Sequence, residues 1–215
     1  MGRRALPKID AALDYSAWLL TVDACAAAVA AGTLFPRAAP WEVELGSGKG
    51  LFLASAAQTR PEHNFLGIEL ARKYAHFAAA RLARLGVDNA RMVHGDGLRV
   101  FRELLPAASI TAAHVYFPDP WWKARHKKRR VMNEQFLRDV ERVLISDGAL
   151  HFWTDVEEYF QAGVSTVKEV TGLSGPFDVV EVAPEHDLDY RTHFERRTRL
   201  AAQTVYRAEF RKSAP

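Results

Sequence analysis

The sequence predicts an α/β protein with a doubly wound, mostly parallel sheet of seven strands. Short apolar runs of strand length alternate with helix-length segments from residue 42 onward. Glycine, proline or aspartate closes most of those runs, as expected where a strand hands over to a helix. The chain has 215 residues, the size of one ordinary domain.

Residues 1–40 form an Ala-rich N-terminal lead-in or arm of partly helical character, ending at Pro36 and Pro40. Residues 41–215 form the main domain. Its first strand is Glu42 to Gly46, which runs into glycines, and a helix follows from Leu51 to Gln58. Phe65 to Glu69 is the second strand. Ala71 to Leu85 is a long helix that Gly86 stops. Arg91 to His94 is the third strand and Thr111 to Phe117 the fourth, ended by Pro118. Asn133 to Ile145 carries Phe136, Leu137, Val140, Val143 and Leu144 at helical spacing. Ala149 to Thr154 is the fifth strand, and Val156 to Thr171 the next helix. Phe177 to Val182 and Thr204 to Phe210 complete the sheet.

Hydrophobic residues make up 48% of the chain and charged residues 26%, which excludes a disordered protein. The single cysteine, Cys25, excludes an internal disulfide and a multi-Cys zinc site, and no metal is expected. Ala17 to Phe35 is interrupted by Asp23 and is too broken for a membrane span or a signal peptide, so a cytoplasmic protein is expected. The formal net charge is +3, but Lys123 to Arg130 alone holds six Lys or Arg. The other 23 basic side chains face 26 acidic ones. The positive charge is therefore local and marks a contact surface.

In a doubly wound sheet, ligands bind at the carboxyl ends of the strands. The first strand end reads Glu44-Leu-Gly46-Ser-Gly48-Lys-Gly50. Glycines there let a ligand approach the backbone. Leu51 stands where a dinucleotide fingerprint needs glycine, and a P-loop motif is absent. Glu69, Asp96 and Asp119 put carboxylates at the next three strand ends. Such acids can bind a ribose diol or an amino group, and each can equally cap a helix or close a turn. The set resembles the class I S-adenosylmethionine-dependent methyltransferases, which implies a Rossmann-like fold and S-adenosyl-L-methionine as cofactor.

The fourth strand end continues as Phe117-Pro-Asp119-Pro-Trp-Trp-Lys123-Ala-Arg-His-Lys-Lys-Arg-Arg130. Two prolines stiffen the Asp119 loop, aromatic rings can cover a base, and the basic run can hold phosphates. This segment resembles the signature of the bacterial tRNA (guanine-N7)-methyltransferases. The resemblance continues at Asn133 to Leu137, at Thr154-Asp155 and at Thr192-His193-Phe194-Glu195. It implies methyl transfer to N7 of guanine in tRNA, at position 46 of the variable loop. It implies cofactor contacts from Glu44, Gly46, Gly48, Glu69, Asp96 and Asp119, with Asp119 also catalytic. It implies substrate contacts from Lys123, Asp155, Thr192, His193, Phe194 and Glu195, with tRNA held by Lys123 to Arg130. A monomer or homodimer without an obligate protein partner is expected. Trp122 and Ala124 depart from the family's proline and lysine, and Thr198 and Ala202 from its glycines. The alternatives are methylation of another RNA base, or a tRNA-binding relative without activity.

Overall fold

The computed structural model describes residues 6–180 and 190–214. Its elements are β1 (Leu19–Thr21), α1 (Val22–Ala31), β2 (Trp41–Leu45), α2 (Leu51–Thr59), β3 (Asn64–Glu69), α3 (Arg72–Leu85), β4 (Ala90–His94), α4 (Gly97–Arg99), β5 (Ile110–Tyr116), α5 (Glu134–Val143), β6 (Leu144–Thr154), α6 (Glu157–Val170), β7 (Ser174–Phe177), α7 (His193–Leu200) and β8 (Tyr206–Arg211). Of the strand expected at Phe177 to Val182, the part beyond residue 180 lies outside the described residues.

The sheet has eight strands in the order β1-β4-β3-β2-β5-β6-β8-β7, one more than the seven expected. The added strand is β1, whose three residues pair with Met92 to His94 of β4. Strands β1 to β6 run parallel, while β8 pairs antiparallel with β6 and β7. The order reverses between β2 and β5, which opens a crevice at their carboxyl ends.

Local chemistry sets the element ends. Gly86 is left-handed (φ 65°) and stops α3. Asn133 caps α5 by accepting a hydrogen bond from Phe136 N at 3.1 Å. Because β3 is covered on both faces, its neighbours Phe65 and Leu66 are both buried, on opposite sides. One core cluster packs α2 and α3 on the sheet, and the other packs α1, α5 and α6. Cys25 is buried in the second, and burial pushes its thiol up to about 11. Among the described residues, no helix is long and apolar enough to cross a membrane.

Candidate active site

The glycine turn after β2 is built around backbone conformations that glycine adopts without strain. Gly46 and Gly48 have φ of 79° and 53°, and a Cβ on either would meet no atom within 4 Å. The space beside them is open because they carry no side chain. Gly46 N donates to Ile68 O at 2.8 Å and fixes the turn to β3. Glu69 completes the clamp: Oε2 accepts from Gly48 N at 2.8 Å and Oε1 from Ala71 N at 2.7 Å. Each oxygen keeps a lone pair for a further donor such as a ribose hydroxyl.

Glu44 lies beneath this turn and is only 2% exposed. Its Oε2 has no hydrogen-bond partner among the described residues. Burial, reinforced by Glu69 and opposed by Ser47 and Arg191, pushes its pKa up to about 8. The Arg191 guanidinium sits over the Phe52 and Trp153 rings, 5.6 and 5.7 Å from their centroids.

A cavity of about 190 Å³ opens over the turn. Gly46, Ser47 and Gly48 form one wall, Phe52, Tyr116 and Phe117 a second, and Thr192, His193 and Phe194 a third. The Phe117 and Phe194 rings lie 5.3 Å apart at 32°. The structure thus gathers Gly46, Gly48, Thr192, His193 and Phe194 around one space, while Glu69 holds the Gly48 turn and Glu44 lies on the strand before it.

The other expected residues stand apart from that wall. Asp96 caps α4, Oδ1 accepting from Leu98 N at 2.9 Å, and its side chain is exposed. Asp119 is exposed two residues past Phe117, and its Oδ1 accepts from Trp121 N at 3.0 Å. Lys123 is exposed and Asp155 half-buried in the bend after β6. Asp155 does not cap α6, which has no side-chain cap. Glu195 is buried and ties α7 to its surroundings: Oε2 accepts from Arg191 N at 2.7 Å, and Oε1 lies 3.4 Å from both Arg199 and Arg207. Thr192 Oγ1 accepts from Glu195 N at 3.0 Å and caps α7, while Glu195 reaches back to the residue before the cap.

The basic run divides. Arg130 is buried, donates to Pro120 O at 2.8 Å and lies 4.7 Å over Tyr159, so it braces the loop instead of reaching outward. Lys123, Arg125, Lys128 and Arg129 are exposed. The side chains of Ala124 and Lys127 lie outside the described part. Trp122 is 66% exposed, while Arg129 lies over Trp121 at 5.1 Å.

Sequence reasoning did not find Phe52, Tyr116 and Phe117 as cavity walls. Their only signal is an aromatic at a strand end or helix start. Nor did it find the buried network behind them. His114 Nε2 lies 2.7 Å from Glu42 Oε2, and Nδ1 lies 2.8 Å from the Tyr116 hydroxyl. Arg60 and His63 hold the other Glu42 oxygen.

This sheet order, with a glycine turn on its first central strand and a cavity at the switch point, defines a class I S-adenosylmethionine-dependent methyltransferase. The fold is shared by the aminoglycoside resistance methyltransferase NpmB1 (TM-score 0.58, 18% identity, 91% of this chain and 95% of that one). It is also shared by a SAM-dependent methyltransferase from Aquifex aeolicus (TM-score 0.54, 14% identity, 80% and 81%). The residues present fit S-adenosyl-L-methionine, with an open glycine cradle and a buried carboxylate, Glu44, whose Oε2 has no partner among the described residues and can take a cationic ligand.

The chain belongs to the tRNA (guanine-N7)-methyltransferase family. A family model described as a putative methyltransferase matches residues 38–208. The tRNA (guanine-N7)-methyltransferase of Rhodopirellula baltica is 45% identical over 99% of this chain and 80% of that protein. That of Hydrogenovibrio crunogenus is 32% identical over 84% of this chain and 75% of that protein.

Proposed function

We propose that this chain methylates N7 of guanine 46 in the variable loop of tRNA, in the cytoplasm. The observation that carries the reading is the cavity at the ends of β2 and β5. The glycine turn and Phe117, the residue that opens the Asp119 loop, line the same space. We assign the methyltransferase unit to residues 41–215, with 1–40 as a lead-in.

S-adenosyl-L-methionine supplies an electrophilic methyl group on a sulfonium sulfur. Guanine N7 has an in-plane lone pair and no proton, so the reaction needs no obligatory general base. The protein's work is alignment and charge stabilisation. Glu44 receives the cationic end of the cofactor and Glu69 its ribose, with Asp96 on the next strand end. Phe117 and Phe194, at the cavity wall, hold the base. Asp119 accepts hydrogen bonds from guanine N1–H and the 2-amino group, which favours the cationic product. Lys123, Arg125, Lys128 and Arg129 hold RNA phosphates, while Thr192, His193, Asp155 and Glu195 order the substrate side.

Two unmodified tRNA transcripts test this, one with guanine and its twin with adenine at position 46. Label from radioactive S-adenosylmethionine is expected as 7-methylguanosine in the first transcript alone. Equal labelling of both would overturn the position, and label in another nucleoside would overturn the reaction.

A further inference from the structure

A second cavity, of about 410 Å³, lies between α2, α3 and α7. It falls in the size range that takes small ligands. Leu51, Ala54 and Leu85 give it an apolar wall, Arg81 and Arg196 give it a cationic one, and His193 adds a polar ring. It shares Leu51 and His193 with the cavity at the glycine turn, so the two sites adjoin.

Arg81 is the informative group. It is half-buried, hydrogen-bonds His193 Nε2 at 3.2 Å and lies 5.7 Å from the centre of the Phe77 ring. A guanidinium only donates, so His193 accepts at Nε2 and carries its proton on Nδ1. Burial, then Arg84 beside it, pulls the Arg81 pKa down. Helix α3 contains no Asp or Glu, and no carboxylate pairs with Arg81 among the described residues. A partly desolvated cation that no described carboxylate pairs is stabilised when an anion arrives. The apolar wall beside it suits a flat base more than a bare ion.

We infer that this cavity is a second RNA subsite that takes one nucleotide next to the target guanosine, its phosphate on Arg81 and its base against Leu51, Ala54 and Leu85. The inference rests on tRNA being the substrate and adds a contact on the side of α3. It gives α3 a role in orienting the RNA that the basic run after β5 does not cover.

The test is binding of a fluorescent, unmodified tRNA transcript across a salt series, without cofactor. Arg81→Gln is expected to weaken binding about fivefold or more and to flatten the log–log salt slope by roughly 0.7–0.9, the value of one phosphate. Leu85→Glu, at a half-exposed position, brings a carboxylate towards the same phosphate and is expected to weaken binding at least as much. Arg138→Gln removes a surface arginine paired with Glu134 on α5 and leaves both quantities unchanged. The affinity for S-adenosylmethionine stays within about twofold throughout. Wild-type affinity and slope in both Arg81→Gln and Leu85→Glu would overturn the subsite, as would a wild-type protein that does not bind tRNA. Should Arg81→Gln melt early, Leu85→Glu decides alone. A wild type that binds tRNA but methylates no guanine would end the proposed function, and the salt slopes would still decide the subsite.

Discussion

His114 and His151, register partners on β5 and β6, stack with ring centroids 4.8 Å apart and planes 2° apart. Burial holds the pKa of both below the ordinary histidine value. Glu42 pulls the other way on each, without reversing it. The neutral form of His114 fits its contacts: Nε2–H donates to Glu42, and Nδ1 accepts from the Tyr116 hydroxyl. The unfolded chain takes up protons near pH 6.5 and the native one resists, so stability is full above that pH and falls below it. Two such groups give a slope of up to about 2.7 kcal/mol per pH unit, and Glu44, protonated in the native state at these pH values but ionised in the unfolded chain, offsets about 1.4 of it. Urea midpoints at several pH values between about 7 and 5 check this. The wild type should weaken toward pH 5, and His151→Gln should be nearly flat. A flat wild-type profile would sink the account.

Glu44 makes the opposite kind of coupling, between proton and ligand. With a pKa of about 8 it is mostly protonated at neutral pH in the free protein. A cationic ligand beside it favours the carboxylate, so binding S-adenosylmethionine should release up to one proton. Affinity should rise by up to about tenfold per pH unit toward pH 8. It should level there, because the ligand's own α-amino group titrates at about the same pH. Calorimetry in two buffers of different ionisation enthalpy reads the proton directly. Glu44→Gln should bind more weakly at pH 8 and release none.

Gly50 opens α2 where α2 meets α3. Its φ is +66°, and an added Cβ would stand 2.7 Å from Ala78 Cβ, which has no freedom to swing away. Gly50→Ala therefore combines left-handed strain of about 1–2 kcal/mol with overpacking of about 1–3 kcal/mol. Gly86 shares the strain (φ +65°) but has nothing within 4 Å of its Cβ. Thermal melts should show Gly50→Ala lower than Gly86→Ala by several degrees, at about 2–4 °C per kcal/mol for a chain of this size. Equal melts would mean that α2 and α3 can part at no cost.

Thr192 and Glu195 at the start of α7 separate a structural from a substrate role. Thr192→Ala removes the cap on α7 and should cost about 1 kcal/mol. Glu195→Gln leaves Arg199 and Arg207 beside a neutral amide in a buried setting, which should cost about 3–5 kcal/mol. If these residues act only through α7, Thr192→Ser restores both stability and kcat/KM. If the Thr192 hydroxyl also touches RNA, Thr192→Ala raises KM for tRNA by more than its loss of stability explains, at a temperature where the variant is folded.

Most of the sheet was legible because buried parallel strands are short apolar runs bounded by glycine or proline, as Phe65 to Glu69 is. Strand β1 was not, since Leu19–Thr21 is too short to show a period inside an Ala-rich stretch. Helix α7 was not either: its apolar residues Phe194 and Leu200 are 40% and 64% exposed, so no buried stripe marks it. The glycine turn was legible because one short segment carries it, and so was the position of each acid at a strand end, though not what it touches. The aromatic wall was not, because Phe52 lies on α2 while Tyr116 and Phe117 stand at the end of β5, more than sixty residues on. The Glu42–His114 contact joins residues 72 apart in sequence, and no local pattern can announce it. Arg130 looked like its neighbours in the basic run, and only its burial against Tyr159 sets it apart.

Asp119 carries two roles that two substitutions can separate. Its Oδ1 closes a turn by accepting from Trp121 N, and Trp121 itself holds a left-handed φ of 46°. The other role is the negative charge proposed to receive guanine N1–H and the 2-amino group. Asp119→Asn keeps an oxygen for the turn and removes the charge; Asp119→Ala removes both. If charge is what matters, both variants should lose about 10²–10³-fold in kcat, in line with loss of a preorganised electrostatic contact worth about 2.7–4 kcal/mol. S-adenosylmethionine affinity should then change by less than about threefold in Asp119→Asn. If the turn alone matters, Asp119→Asn turns over normally and only Asp119→Ala fails. Single-turnover kinetics at saturating tRNA distinguishes the two, because it reads the methyl-transfer step without product release.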